Sequence, residues 1–212
     1  MTIKRVCALV SGGLDSGVLA ADLLRRGREV HPVYMREGLS WEDAELHWLR
    51  RLLEALSSPA LRPLTVLDAP ARELWGARHW SLTGRAPARG RPDEEVYLPG
   101  RNLLLLSQAG VFCAGRGIGE ISMAVLRGNP FRDARPAFRR SMEGCLEAAL
   151  GTRIKVSFPY EKLSKAQVTR LLPDFPVELT FSCMSPRGRR HCGRCNKCEE
   201  RENALRAAAG RS

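Results

Sequence analysis

Long hydrophobic runs are missing from this 212-residue chain. None approaches the ~18 consecutive apolar residues of a membrane-spanning helix, so no membrane partner is expected. The opening MTIKRVCALVSGG meets a glycine turn after only a few apolar residues, and so lacks the apolar region and cleavage site of a secretory leader. A cytoplasmic location is the resulting expectation. Two familiar phosphate fingerprints are also absent: the first glycine-rich turn is neither G-x-x-x-x-G-K-[ST] nor G-x-G-x-x-G. There is no internal repeat and no low-complexity block. Acidic residues are outnumbered, 23 Asp+Glu against 34 Lys+Arg, for a formal charge of +11. A basic surface attracts anions, nucleic acid among them. Arginines spread through LLRRGR, WLRRLL and RPAFRRS are more often solvated helix faces, so a nucleic-acid partner is not favoured.

What is present fits one soluble domain with a short appendage. Apolar residues make up 44 % and charged residues 27 %, ordinary for a globular chain. Of seven cysteines, Cys7, Cys113 and Cys145 are isolated among apolar neighbours and are expected to fill the core. Cys183, Cys192, Cys195 and Cys198 crowd into sixteen residues. Without an export signal, that crowding points to a metal site rather than disulfides.

The hydrophobic pattern predicts an α/β fold. Val6–Val10 is a short apolar run ending in a glycine turn, as a buried parallel strand does. Helical spacing follows over 16–26 and stops at Gly27. Strands are expected at 29–34, where Pro32 weakens the strand or moves it to an edge, and at 64–67, 120–125 and 154–158. Amphipathic helices are expected at 41–56, 102–114, 135–150 and 164–172, the last capped by Ser164. Alternating strands and helices imply a parallel, doubly wound sheet with helices on both faces. Residues 68–95 have no period and read as a long functional or disordered loop. The chain is divided as 1–180, a nucleotide-binding α/β domain, and 181–212, a metal-binding segment packed on it. That segment ends in an alanine-rich helix expected to fray.

The stretch VSGGLDS places glycines between the first strand and the first helix. Free backbone N–H groups at a helix N-terminus bind phosphate, and Gly12 and Gly13 let the backbone approach it. Ser11 and Ser16 add hydroxyls. Asp15 would be repelled by a triphosphate unless Mg²⁺ lay between them. Residues Ser11, Gly12, Gly13, Leu14, Asp15 and Ser16 match, position by position, the SGGxDS PP-loop of the ATP pyrophosphatase superfamily. That resemblance implies ATP as the nucleotide, with Leu9 and Val10 at the strand end beside it.

The C-x8-C-x2-C-x2-C spacing of 183–198 suits tetrahedral Zn²⁺, closed by four thiolates and therefore structural. An iron–sulfur cluster also takes four cysteines. His191 is either a substitute ligand or a basic neighbour.

Taken together, these motifs resemble the 7-cyano-7-deazaguanine synthase family, whose adenine nucleotide alpha hydrolase-like fold is implied here. The matching segments are the PP-loop, YLPGRNLLLLS at 97–107, LSKAQV at 163–168, and TFSC with CGRCNKC at 180–198. Tyr97, Pro99, Arg101 and Asn102 match the family pattern Y-V-P-A-R-N, and Gly100 departs. The resemblance implies a homodimer that takes ATP, ammonia and 7-carboxy-7-deazaguanine, forming a nitrile. It implies Asp15, Arg101 and Lys165 as catalytic residues, and Tyr97, Arg101, Asn102, Asp133 and Arg135 as substrate contacts. Asn102 has a second reading, as the cap of the helix it precedes. The segment VLRGNPFRDARPAF departs from the family's longer V-N-x-x-D-Y-S-G-Y-P-D-C-R motif. It keeps Asp133 and Arg135, loses the earlier aspartate, and gains Arg127 and Arg132. Such a pocket should favour a more anionic or larger substrate. Other readings are a tRNA-modifying PP-loop enzyme and a non-enzymatic nucleotide-binding module.

Overall fold

The computed structural model describes residues 4–210. Five parallel strands form one sheet: β1 (Arg5–Leu9), β2 (Glu29–Arg36), β3 (Thr65–Asp68), β4 (Glu120–Ser122) and β5 (Lys155–Ser157). Their order is β3-β2-β1-β4-β5. The chain therefore steps outward from β1 on one side, then returns to β1's other edge. Open α/β sheets bind ligands outside the carboxyl ends of the strands at such a reversal.

Side chains on β1 alternate between two cores, as a pleat of period two requires. Val6 and Ala8 join α1 (Leu14–Arg25), α2 (Glu42–Ala55) and α7 (Lys165–Arg170) on one face. Cys7 and Leu9 join α5 (Arg101–Ala114) and α6 (Pro136–Leu150) on the other. The doubly wound architecture expected from the sequence is thus the observed one. Among the described residues, no helix is long and apolar enough to cross a membrane.

Several local expectations change. Helix α1 begins at Leu14, two residues early, with Gly13 as its N-cap. Pro32 sits in an inner strand, opposite Ala8 of β1. It is tolerated because its missing N–H faces the β3 side before that ladder starts. There Val30 exchanges hydrogen bonds with Ala60 and Arg62, 2.8 Å each, and the β3 ladder begins only at Val33 opposite Thr65. Strand β4 stops at Ser122; Met123 N–H still donates to Ser157 O of β5 at 3.0 Å, and a tight turn follows, with Val125 N–H donating to Met123 O at 2.9 Å. Cys145 is exposed on α6, not in the core.

The aperiodic stretch 68–95 is only partly loop. It contains the short helices α3 (Arg72–Trp75) and α4 (Trp80–Thr83). Its end is fastened to the cysteine segment: Asn196 N–H donates to Pro87 O at 3.0 Å, and Arg89 N–H to Arg194 O at 3.0 Å. Helix α8 (Asn196–Ala208) keeps its last turn, because Arg170 donates to Ala208 O at 3.2 Å and to Ala207 O. A third apolar cluster, with Trp41, Val96, Leu98, Phe181 and Met184, joins these pieces around the cysteines.

Candidate active site and metal centre

The glycine turn between β1 and α1 is held in shape by its own serines. Ser11 N–H donates to Ser16 Oγ at 3.2 Å, and Ser16 Oγ donates to Gly13 O at 3.2 Å. Gly12 has φ +74°, and a Cβ there would lie 3.0 Å from Glu45 O and 3.2 Å from Leu49 Cβ. Only glycine fits without displacing α2. Gly12 O also accepts from Phe181 N–H at 2.7 Å, tying the turn to the C-terminal segment. The first intrahelical bond of α1 runs from Gly17 N–H to Gly13 O. The amides of Leu14, Asp15 and Ser16 are left without intrahelical acceptors, which makes this end an anion site. Leu14 contributes only backbone, since its side chain is fully buried in the core.

Asp15 stands beside this cradle. Its Oδ2 accepts from Lys165 Nζ at 2.9 Å, while Oδ1 is buried without a donor. An orphaned carboxylate oxygen next to phosphate-binding amides suits a hard divalent cation. Lys165 also pairs with Glu200 at 3.0 Å, and Glu200 with Lys197 at 2.7 Å. Burial works against the Lys165 charge, but Asp15 and Glu200 outweigh it and raise its pKa. Burial likewise opposes ionisation of Glu200, yet Lys165 and Lys197 pull its carboxyl down to about 2. A chain of charges therefore links the cradle, α7 and α8.

Beyond the cradle, a cleft opens at the carboxyl ends of β1, β2 and β4 in two joined compartments. The inner one, about 190 Å³, is lined by Leu9, Val10, Val33, Tyr34, Met35 and Leu105. The outer one, about 450 Å³, is lined by Trp41, Glu45, Trp80, Tyr97, Arg127 and Lys165, among others. Ser11, Gly13, Asp15, Arg101 and Asn102 line both. Arg101 is clamped by the buried Glu37, 2.6 Å from Nη2 and 2.8 Å from Nε to Oε2. Burial disfavours its charge, but Glu37, Glu45 and Tyr34 more than restore it and raise its pKa. Tyr34 OH donates to Glu45 Oε2 at 2.9 Å, and burial pushes the Glu45 carboxyl up to about 8.

Of the expected substrate contacts, Tyr97, Arg101, Asn102 and Asp133 line the cleft, and Arg135 does not. Asn102 does not cap α5; Gly100 does, with φ +68°. That conformation costs alanine roughly 1 kcal/mol, which accounts for glycine at this point of the YLPGRN motif. Asn102 instead grips Asp133: its N–H donates to Oδ2 at 3.1 Å and its Nδ2 to the Asp133 carbonyl at 3.1 Å. Burial raises the Asp133 pKa. Asp133 thus supplies an acceptor to the start of α5 from a distant loop. Tyr97 packs on Phe131, ring centroids 4.8 Å apart, at the outer rim. Arg135 is exposed and lines neither compartment, as is Arg132; Arg127 does line the outer one.

The four clustered cysteines converge. All four Sγ atoms lie within 4.8 Å of one another, against about 3.8 Å for the corners of a tetrahedral site with Zn–S near 2.3 Å. Backbone N–H groups of Ser185 and Cys192 point at Cys183 Sγ, at 3.4 and 3.3 Å, and Arg194 N–H at Cys192 Sγ, at 3.3 Å. These donors stabilise thiolates. His191 is no ligand: its Nε2 accepts from Ser182 N–H at 3.2 Å, and burial lowers its pKa toward the neutral form.

Sequence reasoning missed Glu37, Glu45, Tyr34 and Glu200. One signal was available for two of them: Glu37, Glu42 and Glu45 lie on or beside the apolar face of α2 and the end of β2, where solvated carboxylates are not expected. No spacing rule joins them, since they meet only when β2, α2 and α5 pack.

Comparisons with known proteins agree with this geometry. The family model described as "Queuosine biosynthesis protein QueC" matches residues 5–209. A 7-cyano-7-deazaguanine synthase of Desulfitobacterium hafniense is 31 % identical over 95 % of this chain and 91 % of its own. One of Anaeromyxobacter dehalogenans is 32 % identical over 97 % and 92 %. Among solved structures, a 4-thiouridine synthetase–RNA complex with bound ATP is similar in fold, with TM-score 0.52 and 16 % identity, over 98 % of this chain and 52 % of its own. A predicted tRNA methyltransferase subunit of Methanocaldococcus jannaschii gives TM-score 0.51 at 15 % identity, over 80 % and 74 %. With a PP-loop at the sheet's reversal point and four converging cysteines behind it, the chain belongs to the queuosine biosynthesis protein QueC family.

Proposed function

We propose that this protein is a ligase converting 7-carboxy-7-deazaguanine and ammonia to 7-cyano-7-deazaguanine at the expense of ATP. The observation that carries the reading is the two-compartment cleft, whose shared wall is the PP-loop and Arg101, in a chain whose relatives along its length bear that enzyme's name. ATP fits with its base in the inner compartment and its terminal phosphates on the amides of Leu14, Asp15 and Ser16. The heterocyclic acid fits in the outer one, so that carboxylate and α-phosphate meet between Asp15 and Arg101.

The chemistry proceeds in two activations. A carboxylate oxygen attacks the α-phosphorus and pyrophosphate leaves; ammonia then displaces AMP, giving the amide. The amide oxygen attacks a second ATP in the same way, and loss of AMP and the N–H protons leaves the nitrile. Arg101, held rigid by Glu37, orients the acid and offsets its charge. Lys165 exchanges Asp15 for the phosphates. Tyr97 covers the heterocycle, while Asn102 and Asp133 hold the wall from which Arg101 projects. A Mg²⁺ held by Asp15 would stabilise charge on the departing pyrophosphate. Zn²⁺ held by Cys183, Cys192, Cys195 and Cys198 would serve the fold, because four protein ligands leave no position for substrate.

We also place the protein in the cytoplasm as a homodimer; Leu103 and Val111 on α5, 47 % and 62 % exposed, supply apolar surface for a second copy. Sedimentation tests this. The activity test is incubation with ATP, Mg²⁺, ammonium and 7-carboxy-7-deazaguanine, followed by mass spectrometry. Nitrile and AMP are expected. ATP turnover that requires tRNA, or tight ATP binding without turnover, would replace this reading.

A further inference from the structure

Of the carboxyl groups lining the outer compartment, Asp15, Asp93 and Glu200 are paired with lysines, and Asp133 accepts from the N–H and Nδ2 of Asn102. Glu45 is left without a direct ion pair among the described residues. Glu45, only 8 % exposed, has Tyr34 OH on Oε2, and among the described residues no donor reaches Oε1. The Trp41 and Trp80 rings line the same compartment, stacked on each other at 5.7 Å and 16°. Oε1 keeps contact with solvent in the cleft, so a ligand there can bring it a donor.

We propose that Glu45 is the recognition residue for the heterocycle, accepting hydrogen bonds from the paired ring N–H and amino N–H of a 2-amino-4-oxopyrimidine edge, with Tyr34 fixing the carboxyl's orientation. Two parallel N–H donors match a carboxylate as a guanidinium does. Backbone geometry supports the placement. Glu45 O is the atom that a Cβ on Gly12 would strike, so Glu45 is one contact away from the phosphate cradle. A substrate anchored on Glu45 has its far end directed to the cradle and Arg101. Donors from a ligand favour the ionised form and so work against the burial that pushes this carboxyl up.

This inference rests on the function proposed above, and the test separates the two. Binding of 7-carboxy-7-deazaguanine, and of its analogue with a 2-oxo in place of the 2-amino group, is measured by calorimetry for wild type, Glu45→Gln and Tyr34→Phe, with ATP as the control ligand. A glutamine keeps the shape and the Tyr34 bond but turns an acceptor into a donor. In Glu45→Gln, affinity for the amino compound should fall about tenfold or more, the preference between the two compounds should narrow or reverse, and ATP affinity should hold. Tyr34→Phe should lose less, about threefold. Undiminished discrimination in Glu45→Gln overturns the role of Glu45 alone. Parallel loss of ATP binding also overturns it, since the defect is then general. Wild type that binds ATP but neither heterocycle overturns both inferences.

Discussion

The two ends of the cleft are built differently. The phosphate end is main chain: six consecutive residues, two glycines and the amides of one helix start. The heterocycle end is side chain, and its walls come from α2, α4, α5, α7, α8 and the segment after β4, brought together only by folding. The first is local, so its chemistry can be written in a six-letter motif. The second is an outcome of packing, and no single contact defines it. This accounts for SGGLDS matching its superfamily position by position while VLRGNPFRDARPAF departs.

Perturbations should sort along the same line. The largest effect belongs to the metal segment, which buttresses both ends through Phe181 N–H to Gly12 O and through the cluster around Trp41. Cys195→Ser should drop bound metal below about a tenth of an equivalent and unfold residues 181–208 from the cleft; retention of metal, measured by elemental analysis, would show the site is held otherwise. Asp15→Asn comes next: turnover should fall about 100-fold or more, because the cradle loses its cation-binding oxygen. Near-normal turnover in that variant would dissociate Asp15 from the phosphate end. Gly12→Ala should destabilise the fold by about 1–3 kcal/mol, combining a left-handed φ with contact against α2, and should raise the KM for ATP. Denaturant melts and kinetics check both halves.

The heterocycle end is distinguished by a dependence on pH. Glu45 is raised from an ordinary 4.5 to about 8, so over that window the folded state holds a proton that the unfolded state has released. Stability then falls as pH rises from 4.5 to 8, and Glu45→Gln should remove that part of the slope. The variant should therefore gain on wild type across this window in urea melts. A constant difference between the two proteins would mean that the carboxyl is not suppressed.

Legibility in the sequence followed locality. The strand–helix alternation, the PP-loop and the four cysteines each lie within short windows, and the structure brings each into the expected unit. Pro32 misled because an edge was inferred where only one side of one residue needed to be free. The stretch 68–95 read as loop because its apolar residues, Trp75, Trp80 and Leu82, answer to the cysteine segment, about a hundred residues away, and to no period of their own. Asn102 and Asp133 read as substrate contacts, and both line the outer compartment; their bond to each other was not legible, because two polar residues 31 apart in sequence carry no sign of being partners. The clamp of Glu37 on Arg101 was hidden for the same reason.

The central claim is that a carboxylate is adenylated at the junction of the two compartments, and isotope transfer tests it most directly. With 7-carboxy-7-deazaguanine labelled by oxygen-18 in both carboxylate positions, each nitrile should be accompanied by two AMP molecules, each carrying one labelled oxygen, with unlabelled pyrophosphate. Label found in pyrophosphate or inorganic phosphate, or release of ADP, would contradict the account.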